Sequence, residues 1–166
     1  MEKSDKLVHI WSKPQFNENL GRLNIDDNNI ETLPDVAFIS INDTHGQWNE
    51  SWLDRDHPNV LRLWFDDVEN DHEVSSPTNT ISVRAFDSEQ AQAVVTFVEN
   101  NRHKKTFIVH CTAGISRSGA VGQFICDYFN CDREEFLRIN PHIYPNARVT
   151  RMLNNLTNGY ADEGIL

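Results

Sequence analysis

The residues best suited to chemistry lie together in the stretch His110-Cys111-Thr112-Ala113-Gly114-Ile115-Ser116-Arg117-Ser118. Five residues separate Cys111 from Arg117, a length of chain that can wrap one tetrahedral anion. Backbone N–H groups in a tight turn converge on one point and form an anion-binding nest. A helix that follows adds unpaired N–H groups and the positive end of its dipole. Arg117 offers a planar fork matched to two phosphate oxygens. The same positive field is expected to lower the pKa of Cys111 and hold it as thiolate. A thiolate at the bottom of a phosphate cradle is a nucleophile aimed at phosphorus. Gly114 admits a backbone conformation that a side chain would hinder. The Ser118 hydroxyl can hydrogen-bond the sulfur and ease its later departure.

The flanking segments fit that use. Residues 106–109 form a short apolar run that reads as a buried strand, and residues 119–129 read as a helix despite two glycines. Cysteine thus stands where a strand ends, a loop turns, and arginine opens a helix. A lone strand-end cysteine is more often an inert packing residue. His110, Gly114, Arg117 and Ser118 at fixed spacing argue against that reading here.

His-Cys-x5-Arg-Ser resembles the signature of the cysteine-dependent protein tyrosine phosphatases, and the whole run is similar to their dual-specificity branch. The resemblance covers roughly residues 36–157. It implies an α/β fold with a central, mostly parallel sheet, helices on both faces, and the active loop at a strand's C-terminal end. It also implies hydrolysis of phosphotyrosine, with phosphoserine and phosphothreonine as further candidates, through a phosphocysteine intermediate without metal or cofactor. Thr112, Ala113, Gly114, Ile115, Ser116 and Arg117 would then hold the phosphate. His110 would order the loop and support a low thiol pKa, although a lone histidine there would more often be a packed core residue.

Loss of an alkoxide or phenoxide needs a proton at the leaving oxygen, and a carboxyl group on a neighbouring loop can deliver it. In the resembled family the acid is an Asp just after the strand upstream of the signature strand. That places it at Asp67, with Asp66 the close competitor and Asp71 a distant third. Alternation along the strand points Asp66 and Asp67 to opposite sides, so one should face the cradle. The separation from acid to cysteine is longer than in the compact family members. Pro145-Asn146 is similar to the family's opening of the last helix; Asn146 either braces the cradle or simply starts that helix.

The remaining chain supplies the scaffold. Residues 7–11 read as a first strand at an edge, and 12–34 as loop with short pieces of structure. Residues 36–41 are continuously apolar, the pattern of a strand buried on both faces in a parallel sheet. Residues 60–65 are the next strand, and 68–86 form a long polar connection of the kind often found as a lid. Asp87 with Gln90 caps a helix running to about Asn100. Residues 102–105 read as a solvated basic turn. Asp132 starts a helix that Asn140-Pro141 stops.

Length and charge limit the options. A chain of 166 residues suits one domain, 1–166, with 39% hydrophobic content and a net charge of −10. That charge disfavours nucleic acid or an acidic membrane surface as main partner and leaves a phosphorylated protein or peptide as the expected one. Three cysteines make no disulfide framework; Cys126 and Cys131 read as packing residues, with redox pairing to Cys111 the lesser reading. No apolar run is long enough to span a bilayer, so a cytoplasmic setting is expected. A phosphoinositide or RNA 5′-phosphate phosphatase, or a non-catalytic phosphate-binding module, would use the same cradle. Polyanionic substrates usually want lysines in the loop, and Thr112, Ala113, Ile115 and Ser116 offer none.

Overall fold

The computed structural model describes residues 2–165, with side chains through residue 157. In chain order the elements are strand β1 (Leu7–Ser12), helix α1 (Lys13–Arg22), a 3-10 turn (Ile30–Thr32), and strands β2 (Val36–Asn42) and β3 (Val60–Trp64). Strands β4 (His72–Ser75) and β5 (Thr80–Val83), helix α2 (Ser88–Asn100) and strand β6 (Thr106–Cys111) follow. Helices α3 (Arg117–Tyr128), α4 (Arg133–Ile139) and α5 (Ala147–Ile165) complete the chain. Strands β1, β6, β2 and β3 form a sheet in that order, parallel throughout.

Alternation sorts the side chains of the two central strands. Ala37, Ile39 and Ile41 of β2 join Phe107, Val109 and Cys111 of β6 in a core with α2, α3, α4 and α5. Phe38 and Ile108 point the other way, onto Phe16 and Leu20 of α1 and onto Leu53. Both faces are therefore covered, as the apolar run at 36–41 requires. Gly122 explains a glycine inside α3: a Cβ there would lie 2.1 Å from Ile10 Cδ1, so the helix rests directly on β1. Asn140, at the end of α4, ties down the edge strand. It accepts from the Ile10 N–H and donates to the Val8 carbonyl, each at 2.8 Å.

Three segments differ from expectation. Residues 13–22 are helical, opened by a Ser12–Gln15 capping box with proline in the first turn. Only Phe16 and Leu20 give that helix an apolar contact, too few to show a period. The connection at 68–86 contains a hairpin, β4 antiparallel to β5, closed by Ser76 and Asn79. Its side chains are largely exposed, so no apolar stripe marks it. Lys104 is not solvated: its Nζ donates to the Leu33 and Pro34 carbonyls at 3.3 and 2.9 Å. No helix among the described residues is long and apolar enough to cross a membrane.

Candidate active site

Strand β6 delivers His110 and Cys111 to opposite faces of the sheet, and the loop from 112 to 116 turns back into α3. Cys111 is only 2% exposed. Its Sγ lies 3.0 Å from Ser118 Oγ and accepts a hydrogen bond from the Gly114 N–H at 3.3 Å. Gly114 has φ +73°, and a Cβ there would meet Ser12 N at 2.6 Å and the Trp11 carbonyl carbon at 2.7 Å. The loop therefore takes this shape only with glycine. Gly114→Ala should destabilise the protein by at least ~2 kcal/mol, read as a lower denaturant midpoint at unchanged slope.

Arg117 is buried, and its guanidinium is already engaged. Nη1 donates to the Phe65 carbonyl at 2.7 Å. Nη2 pairs with Asp43 at 2.8 Å and donates to Thr112 Oγ1 at 3.2 Å. The expected two-pronged fork toward an anion is thus partly turned onto the protein, because a buried guanidinium needs acceptors of its own. Nε is buried and has no partner among the described residues. An orphaned donor of this kind costs ~1–3 kcal/mol, and an oxyanion in the loop would satisfy it.

His110 packs on Phe16, ring centroids 4.2 Å apart. Its Nε2 is 2.6 Å from Ser40 Oγ and its Nδ1 is 3.2 Å from the Cys111 carbonyl. Burial pushes its pKa down to about 3; the Cys111 carbonyl opposes the shift, and the charges of Lys13 and Arg117 add to it. The ring is therefore neutral at ordinary pH. The unfolded chain takes up a proton near the ordinary histidine value of 6.5 and the folded chain does not, so stability is lost as pH falls through that window. Each pH unit below the unfolded value costs about 1.4 kcal/mol at the limit. Unfolding at pH 5 rather than 7 should show a loss of about 2 kcal/mol, and His110→Gln should flatten that slope.

The two aspartates after β3 part company. Asp66 accepts from the Thr44 N–H at 3.0 Å, the Thr44 hydroxyl at 2.5 Å and the Arg84 N–H at 2.9 Å. Burial raises its pKa, but these hydrogen bonds and the charge of Arg117 lower it further, and the net direction is down. Asp66 is a brace between two loops. Asp67 is exposed and turns to the phosphate loop: its Oδ1 accepts from Ser116 Oγ and from Asn146 Nδ2, both at 2.8 Å. Its Oδ2 has no partner among the described residues. Asp71 accepts from the Ala85 N–H and pairs with Arg84, away from the loop. Asn146 serves both readings given it, since its N–H donates to the Ser116 carbonyl and its Oδ1 caps α5 at Val149. Beside the loop, Ile10, Ala113, Ile115, Pro141, His142 and Ile143 help line a cavity of about 490 Å³.

Two functional candidates had no sequence signal. Asp43, at the end of β2, accepts from the Thr112 hydroxyl at 2.7 Å besides pairing with Arg117. Lys13 is buried beneath the same loop. Both act through contacts with residues distant in the chain, which spacing does not reveal. Cys126 and Cys131 sit at the far end of α3; burial pushes the Cys126 thiol up to about 12 and Cys131 upward too, so neither suits redox chemistry. Among the described residues no cluster of His, Cys, Asp or Glu could hold a metal ion.

No family model and no curated protein matches the chain. Among solved structures it is similar to Tk-PTP in its active form, at 16% identity over 90% of this chain and 88% of that one, TM-score 0.48. It is also similar to a human tyrosine phosphatase-like serine/threonine/tyrosine-interacting protein, at 18% identity over 82% and 87%, TM-score 0.44. The four-stranded parallel sheet, covered on both faces, places the His-Cys-x5-Arg-Ser loop at the C-terminal end of a central strand, in an α/β fold with a mostly parallel sheet.

Proposed function

We propose that the protein is a phosphoprotein phosphatase acting on phosphotyrosine, with phosphoserine and phosphothreonine as further substrates, by way of a phosphocysteine. One observation carries the reading: a cysteine sulfur receives an N–H from its own loop at the start of a helix that a buried arginine opens. In the first step Cys111 Sγ attacks phosphorus and the bond to the ester oxygen breaks. Loop amides and Arg117 stabilise the equatorial oxygens. Asp67 gives its proton to the leaving oxygen; its unpaired Oδ2 is the atom free to carry it. In the second step Asp67 takes a proton from water as the water oxygen displaces sulfur. A thiolate only accepts hydrogen bonds, so Ser118 donates to it and steadies it as it leaves.

Charge supports a protein substrate over a polyanion. Arg117 is the one cation that the loop itself contributes, and the chain carries a net −10. Three free cysteines fit a compartment that keeps thiols reduced. The test is release of phosphate from phenyl phosphate and from phosphotyrosine peptides with chelator present. Turnover under those conditions supports the reading. Retained phosphopeptide binding without turnover would leave a binding module instead.

A further inference from the structure

We infer that Lys13 is a positioning residue for the phosphate loop, a buried cation that fixes the Cys111 carbonyl through Asn42, Ser40 and His110. For its effect on turnover the inference rests on the phosphatase reading; its effect on anion binding does not.

Lys13 is the first residue of α1, and its N–H donates to the Thr112 carbonyl at 3.1 Å, so its backbone already touches the loop. The side chain is 2% exposed. Nζ donates to Asn42 Oδ1 at 2.7 Å and to the Trp48 carbonyl at 2.6 Å. Asn42 Nδ2 lies 3.3 Å from the Ser40 and Leu63 carbonyls and 3.4 Å from Ser40 Oγ, which lies 2.6 Å from His110 Nε2. His110 Nδ1 is 3.2 Å from the Cys111 carbonyl.

Donor chemistry fixes the direction of each link. An ammonium only donates, so Asn42 turns its oxygen to Lys13 and its amide to Ser40. A carbonyl only accepts, so the hydrogen of neutral His110 sits on Nδ1. Nε2 is then an acceptor, and Ser40 donates to it. Along this series each link runs from Lys13 toward Cys111, and such chains polarise in one sense.

A lysine is an expensive way to fill this space, since a buried ammonium costs more than an apolar side chain of the same length. Four charged or titratable groups face it: Asp43 at the end of β2, Glu50 in the following connection, Arg117 on α3 and His110 on β6. Burial lowers its pKa, Asp43 and Glu50 resist, Arg117 adds to the fall, and the result is about 8. Asp43 also pairs with Arg117, so Lys13 shares the negative charge that would otherwise bear on Arg117 alone. When Lys13 loses its proton, anion binding should weaken. Its contribution to stability moves the other way. Between about 8 and the ordinary lysine value of 10.5 the unfolded chain holds a proton that the folded chain lacks, so folding gains as pH rises. A residue that merely supports the fold would not lower affinity while stability rises.

The probe is tungstate, measured by calorimetry at pH 7 and 9 on the full chain, with kcat/KM for phenyl phosphate alongside. In the wild type, tungstate affinity should fall at least about threefold between the two pH values without a drop in denaturant midpoint. Ser40→Ala, which cuts the chain of bonds, and Lys13→Met should each weaken binding at pH 7 about fivefold or more. Lys13→Met should also erase the pH step. Unchanged affinity in Ser40→Ala, no step in the wild type, or a step that survives in Lys13→Met would overturn the inference. If Lys13→Met does not fold, the wild type and Ser40→Ala decide alone. Tungstate binding with the expected step but no ester turnover would sink the phosphatase reading and leave this one standing.

Discussion

Cys111→Ser should lose phosphate-ester hydrolysis by about 10⁴-fold or more while still binding tungstate. A serine hydroxyl does not ionise at neutral pH. The helix start, Gly114 N–H and Arg117 that could stabilise a thiolate cannot supply the missing anion. The substitution leaves those donors in place, so the cradle remains. Tyrosine phosphopeptide should therefore bind the variant without turning over, and denaturant unfolding should change little. A serine variant with substantial activity would mean that sulfur is not the nucleophile.

The second large effect separates the two aspartates. Asp67→Asn should slow phenyl phosphate by about 10²–10³-fold and nitrophenyl phosphate far less, because a good leaving group departs without a proton. Asp66→Asn should behave differently. Its carboxylate holds Thr44 and Arg84, and losing the charge from three hydrogen bonds should cost about 2–3 kcal/mol of stability. Its effect on rate should not depend on the leaving group. The measurement is a plot of log kcat/KM against leaving-group pKa for both variants. A steeper slope for Asp66→Asn than for Asp67→Asn would reverse the assignment.

Much of this was legible in the chain because it is local. The loop from Cys111 to Arg117 announces itself by residue type and spacing. The strand before it and the apolar run at 36–41 show burial directly, and Asp87 with Gln90 states a helix start, as the structure has it. Strand alternation predicts that Asp66 and Asp67 face different ways. The structure ends β3 at Trp64, and the two part because Asp66 is held by Thr44 and Arg84 while Asp67 is held by Ser116 and Asn146. What stayed hidden is long-range or polar. Helix α1 carries two apolar contacts on a polar background, β4 is exposed, and β5 is only half-buried. Asp43 and Lys13 gain their meaning from Arg117 and Asn42, and Lys13 would ordinarily be read as a surface residue.

The central claim is a covalent bond between phosphorus and Cys111, and rapid mixing with an aryl phosphate followed by acid quench and peptide mass analysis tests it most directly. The account predicts a phosphoryl adduct on the peptide bearing Cys111 that forms within a turnover and persists longer in Asp67→Asn, where water lacks its base. Turnover with no adduct on that peptide at any quench time would contradict it.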